Sequence, residues 1–125
     1  MTETFGRLTR RAEYLRVAGT RKRCAKPGLV LQAAPSGAAS DLEGFRVRVG
    51  FTASRKVGGA VERNRARRRL KAAAAAVMPV HAAKGADYVL IGRQASVHRR
   101  FADLVSDLEA ALRQLGLWRD AAANP

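Results

Sequence analysis

Between Phe45 and Val77 the apolar residues change their spacing, and that change leaves little choice of fold. In "FRVRVGFT", Phe45, Val47, Val49 and Phe51 alternate with Arg46, Arg48, Gly50 and Thr52, the period of two expected of a strand with one buried face. Past Gly58-Gly59, Ala66, Leu70, Ala73 and Val77 recur at i, i+4, i+7 and i+11, the inner stripe of a helix. The pattern predicts a helix over about 60 to 78, ended by Pro79. Small residues on its inner stripe let such a helix lie close against a sheet.

The outer side of this helix is the chain's most unusual feature. Taking Ala66 as zero on a wheel, Asn64, Lys71 and Arg68 fall at about 160°, 140° and 200°, with Arg67 and Arg65 flanking at about 100° and 260°. Residues 55–71 hold eight Lys and Arg against Glu62 alone, and residues 1–26 hold another eight against Glu3 and Glu13. These two blocks carry nearly all of a formal net charge of +14. A solvated, salt-bridged helix face alternates its signs, and this one has no acid after Glu62. Planar guanidinium groups around one Asn suit phosphate oxygens, so the blocks point to a polyanion, RNA or DNA.

Elsewhere the pattern is that of one small α+β domain. "RLTRRAEYLRVAG" predicts a first helix, with Thr9 as N-cap and Gly19 as its stop. "RKRC" and "GLVLQAA" predict strands around the turn Lys26-Pro27-Gly28, and "PSGAASDLEG" a surface loop. "DYVLIG" suits a central strand. Phe101, Leu104, Val105, Leu108, Leu112 and Leu115 form the stripe of a last helix, with Ser96 a candidate N-cap and Gly116 at C′. The expected order is αβββαβα, with about four strands, over a domain of residues 1–118; 119–125 reads as a flexible tail.

The chain shows no catalytic constellation of its own: His81 and His98 are isolated, the acids fall on loops and solvent faces, and no metal-ligand cluster stands out. The single Cys24 excludes an internal disulfide and reads as a small buried hydrophobe. "AAAAAVMPV" is too short to span a bilayer, and no apolar h-region opens the chain, so a cytoplasmic protein without membrane contact is expected. A second surface is suggested by Tyr14 with Gln32, Arg48, Thr52, Ser54 and Lys56, a ring beside cations and hydroxyls, as single-stranded nucleic acid requires. Two functions share this charge and size: a structural ribosomal protein and a DNA-binding regulator. The last lacks a helix-turn-helix signal.

"GFTASRKVGGAVERNRARRRLK" resembles the arginine-rich RNR motif of the bacterial ribonuclease P protein component. The match takes in the strand ending in "SRK", the glycine turn, Val61, the triplet Arg63-Asn64-Arg65 and the basic positions Arg67, Arg68 and Lys71. "LTRRAEYLRVAGT", "GLVLQA", "DYVLIGR" and the leucine-rich end resemble the rest of the family's domain. The resemblance implies a four-stranded α+β fold with a left-handed βαβ crossover. It further implies a subunit of a ribonucleoprotein endoribonuclease in which a catalytic RNA, using Mg²⁺ held mainly by the RNA, removes the 5′ leader of precursor tRNA. By position, Lys56, Arg63, Asn64, Arg65, Arg67, Arg68 and Lys71 would face the catalytic RNA. Tyr14, Val17, Val30, Gln32, Arg48, Thr52 and Ser54 would line the cleft for the leader. No catalytic or metal-binding side chain, and no obligate protein partner, is implied. Family members often carry further aromatics where this chain has Ala18 and Gln32, which leaves Tyr14 to stack and Arg48 and Lys56 to hold phosphates.

Overall fold

A computed structural model describes residues 5–35 and 47–120. Its elements run β1 (Gly6–Arg7), α1 (Arg11–Gly19), β2 (Arg23–Ala25), β3 (Leu29–Pro35), β4 (Val47–Thr52), α2 (Ala60–His81), β5 (Ala86–Gly92), a 3₁₀ turn (Gln94–Val97) and α3 (Phe101–Gln114). The strands form one sheet in the order β1-β4-β5-β3-β2. "DYVLIG" therefore lies at the centre, parallel to β4 and antiparallel to β3. β4, α2 and β5 make the βαβ crossover.

The sheet is five-stranded where four strands were expected. The fifth, β1, pairs in parallel with β4 through Gly6↔Arg48 and Arg7↔Val49, and two residues are too few to show a period. Phe45, Arg46 and most of the expected 35–44 loop lie outside the described residues. The alternation of β4 is realised over Val47–Thr52: Val47, Val49 and Phe51 join Leu29, Leu31, Tyr88 and Leu90 in the main core. α2 supplies Leu70, Ala73 and Val77 to that core and α3 supplies Leu104, Leu108 and Leu112, so both helices cover one face. α1 covers the other, where Val17 packs with Leu8, Ala34 and Val89, and Tyr14 and Ile91 close the cluster.

Several helix ends differ from expectation. Thr9 does not cap α1: Arg10 is the N-cap, and Glu13 Oε1 accepts the N–H groups of both Thr9 and Arg10 at 3.0 Å. Pro79 does not end α2, which continues to His81. The missing N–H takes away the i+4 donor of the Ala75 carbonyl, but Ala75 is exposed and water can serve it, while Met78 and Ala82 stay in the core. Ser96 does not cap α3; it closes the 3₁₀ turn by accepting from Arg93 N at 2.8 Å and donates to the Gly28 carbonyl at 2.5 Å. α3 ends as expected, with Gly116 at φ +74° and paired bonds from Leu117 N to Leu112 O and Gly116 N to Arg113 O.

The close approach of α1 to the sheet is set at Gly50. A Cβ there would lie 2.5 Å from the Tyr14 ring. The phenol rests on the glycine, donates to Leu8 O at 3.1 Å and accepts from Phe51 N at 3.3 Å. Gly50→Ala should cost about 1–3 kcal/mol by overpacking, read as a lower urea midpoint. Pairing it with Tyr14→Ala should lose less than the two single losses combined, because the clash is removed with the ring.

Candidate RNA interface

α2 is held to the sheet by Ala66 and Leu70, both fully buried, so its opposite side must face solvent. Asn64, Arg65, Arg68 and Lys71 are exposed there and Arg67 is half-buried, as the wheel requires. The cations do not all point outward freely. Arg63 donates to the Gly58 carbonyl at 3.2 Å and so fastens the start of the helix to the glycine turn. Arg67 donates to Asn64 Oδ1 at 2.6 Å. Arg65 Nε donates to Val97 O at 2.8 Å, and Arg69 donates to Ser96 O at 2.6 Å and to Arg99 O. Burial, with the nearby charge of Arg65, lowers the pKa of Arg69. Arg68, Lys71 and Lys56 have exposed side chains with no partner among the described residues.

The second surface lies on the α1 side of the sheet. Strand register places Thr52, Ile91, Val30 and Ala25 in one row across it, and Gly50, Val89, Gln32 and Arg23 in the next. Beyond α1 the first row opens into a cleft of about 1030 Å³, whose apolar floor includes Val30 and Ile91 and whose rim holds Arg23, Ser54, Lys56 and Arg93. Of the residues expected to line a leader cleft, Val30 and Ser54 do so. Lys56, expected both on the catalytic-RNA side and among the cations of this second surface, also lines it. Tyr14, Gln32 and Thr52 are half-buried nearby, and Val17 is buried on the inner side of α1, against the sheet. Arg23 and Arg93 escaped the sequence pattern. Arg23 is placed beside Gln32 only by the β2–β3 register, and Arg93 is one residue past the strand it follows.

Arg48 is not on the cleft surface, contrary to its expected role in holding phosphates. It does leave β4 on the face away from the main core, but α1 covers that face and leaves the residue 2% exposed. Its guanidinium donates to Asp87 at 3.1 and 2.8 Å and to Glu13 Oε2 at 2.7 Å, while Arg16 of α1 also pairs with Asp87. Asp87, expected among the solvent-facing acids, is fully buried. Two carboxylates and two guanidinium groups thus bolt α1 to the middle of the sheet. Hydrogen bonding to Asp87 outweighs burial and raises the pKa of Arg48 still further above its ordinary value.

The remaining candidates fall into place as structure. Cys24 is buried. His81 stacks on Trp118, ring centroids 3.9 Å apart, and the Arg113 guanidinium lies over the Trp118 ring at 3.9 Å. The expected flexible tail begins too early, since Arg119 is fastened to the end of α2 through bonds to the carbonyls of Ala82 and Pro79, each 3.2 Å. Ala121–Pro125 lie outside the described residues. Among the described residues there is no group of His, Cys, Asp and Glu that could hold a metal ion, and no helix is long and apolar enough to cross a membrane.

The sequence model of the family Ribonuclease P matches residues 3–116. The chain belongs to the ribonuclease P protein family. The ribonuclease P protein component of Paramagnetospirillum magneticum is 52% identical over 116 residues, 93% of this chain and 86% of that protein. That of Gluconacetobacter diazotrophicus is 44% identical over 117 residues, 94% and 97% of the two chains. Among solved structures, the Staphylococcus aureus RNase P protein superposes with a TM-score of 0.71 at 21% identity, over 90% of this chain and 97% of that one. The Thermotoga maritima RNase P protein gives 0.67 at 25% identity, over 87% and 94%. Membership in the ribonuclease P family sets aside the ribosomal and DNA-regulator alternatives.

Removing one member of the buried network should be costly. Asp87→Asn leaves two guanidinium groups facing a neutral amide and should cost about 3–5 kcal/mol, measured by urea unfolding. Glu13 adds a pH dependence. Burial raises its pKa, but the amides of Arg10 and Thr9 and the side chain of Arg48 outweigh that and hold it below the ordinary 4.5. A lowered folded value means a contribution that is present above pH 4.5 and lost as pH falls through the folded value. Acid titration of stability should show that loss in the parent chain and less of it in Glu13→Gln.

Proposed function

We propose that this protein is the subunit of ribonuclease P that grips the catalytic RNA with the outer face of α2 and the 5′ leader of precursor tRNA with the cleft beside α1. The work would be done in the cytoplasm. The observation that carries this is a helix clamped by Ala66 and Leu70 whose outward cations Arg68 and Lys71 find no partner among the described residues, in a chain of this family. Unpaired cations on a rigid helix neutralise phosphates at little ordering cost. Lys56 stands at the junction, exposed at the foot of the glycine turn and on the rim of the cleft, so one cation serves both surfaces. Arg23 and Arg93 face it across the cleft rim and hold the leader's phosphates in the role that Arg48, being buried, does not take.

Bond cleavage belongs to the RNA. Mg²⁺ is bound mainly by RNA phosphates, and the protein's part is to raise the affinity for substrate and the occupancy of the metal by relieving phosphate repulsion. With three cations and a serine on its rim and an apolar floor, the cleft suits a single strand, whose backbone meets the rim while its bases meet Val30 and Ile91.

Reconstitution tests the assignment. The purified chain added to a bacterial ribonuclease P RNA at low Mg²⁺ should stimulate 5′ processing of precursor tRNA, and no stimulation would refute it. In the same assembly, replacing Arg68 and Lys71 with Ala should weaken binding of the catalytic RNA and reduce the slope of log affinity against log salt by about one per lost phosphate contact. Arg23→Ala and Lys56→Ala should lower affinity for precursor tRNA far more than for mature tRNA, which has no leader. Equal losses on both would remove the cleft from the leader's path.

A further inference from the structure

The segment "VHRRF", residues 97–101, stands in the stretch 72–125, where six Lys and Arg are nearly balanced by five Asp and Glu, and its Phe101 fits the apolar stripe of α3 by spacing. The fold gives it a different setting. The buried stripe of α3 begins one turn later, at Leu104, while Phe101 is 43% exposed. His98 and Arg100 are exposed, and neither side chain has a hydrogen bond, ion pair or ring contact among the described residues. Arg99 is occupied, since it binds Asp107 at 2.6 and 3.2 Å and neutralises it. One exposed phenyl ring on a protein is ordinary. A ring that directly follows a partnerless Arg and lies three residues from a partnerless imidazole, on a segment fixed in place by a basic helix, is a composed surface.

That fixing is done by α2. Arg65 and Arg69, one turn apart, donate to the carbonyls of Val97, Ser96 and Arg99 and so hold the backbone of the segment along the flank of the helix. On the wheel the outer face runs from Arg68 at about 200° to Arg65 at about 260° and Arg69 at about 300°. The segment continues it beyond Arg69, so the charged surface does not stop at the helix. The leader cleft is on the other side of the same 3₁₀ turn, lined by Gln94 and Ala95.

The geometry points to a second contact with the catalytic RNA, in which Phe101 stacks on an unpaired base while Arg100 and His98 meet the phosphates beside it. Continuity with the outer face of α2 selects the catalytic RNA over the leader, and the absence of a free acid on the segment excludes a basic partner. Stacking on an aromatic ring needs no particular base, and RNA offers splayed bases at loops and bulges. The inference rests on the proposed role of α2, and the test separates the two.

Binding of ribonuclease P RNA is titrated at fixed Mg²⁺ over a series of salt concentrations, with melting temperature measured for every variant. Phe101→Leu, which keeps the apolar contact and loses the ring, should weaken binding about tenfold without changing the melting temperature. Phe101→Trp should restore it. Arg100→Gln should lower the salt slope by about one. The preference for precursor over mature tRNA should be unchanged in all three. If Phe101→Leu binds as the parent does while Arg68→Ala is weakened, the second contact is overturned and the role of α2 stands. If neither variant is weakened, both fall. A loss confined to the precursor preference would assign the ring to the leader, and a loss of self-association in Phe101→Leu would assign it to a second copy; either result overturns the inference.

Discussion

The buried pairing of Arg48 with Asp87, completed by Glu13 and Arg16, is the constraint from which the rest of the site follows. Ions taken out of water are tolerated only where their charges and hydrogen-bonding sites are matched, and here buried Arg48 and Asp87 are matched to each other, to half-buried Glu13 and to Arg16 at the exposed edge of the network. The match holds only if α1 lies across the middle strands, because Glu13 and Arg16 are on the helix and Arg48 and Asp87 are neighbours in the sheet. With α1 fixed, Tyr14 is seated on Gly50 and the row from Thr52 to Ala25 is left uncovered. The cleft is the part of the sheet that α1 does not reach.

The same network bears on the surface charge. Glu13, Asp87 and Asp107 all turn to internal arginines, so acids that could have neutralised the exterior are used inside. Arg63, Arg65 and Arg69 make the reverse arrangement, giving donors to backbone carbonyls that the glycine turn and the 3₁₀ turn leave unpaired. The basic block is therefore two populations. One braces the helix against its flanking turns, and the other, with Arg68, Lys71 and Lys56, is exposed without a partner among the described residues. A generic charge patch needs no such division, whereas a surface that must present cations at fixed positions to a rigid RNA does.

Much of this was legible in the chain. The change of period between Phe45 and Val77 determined a strand, a turn and a helix, and the helix wheel determined which residues face inward, since each rests on local backbone geometry alone. The RNR motif determined the family, and the charge blocks pointed to a polyanion partner. What the sequence could not supply was anything that depends on which residues become neighbours across strands. Arg48 alternates outward as the period demands, and only the docking of α1 makes that outward face an interior. Arg23 and Arg93 reach the cleft, and Phe101 leaves the core stripe, through register and through a turn anchored by distant arginines. Spacing along one chain fixes the side of an element on which a residue lies; what covers that side is decided by packing between elements far apart in sequence.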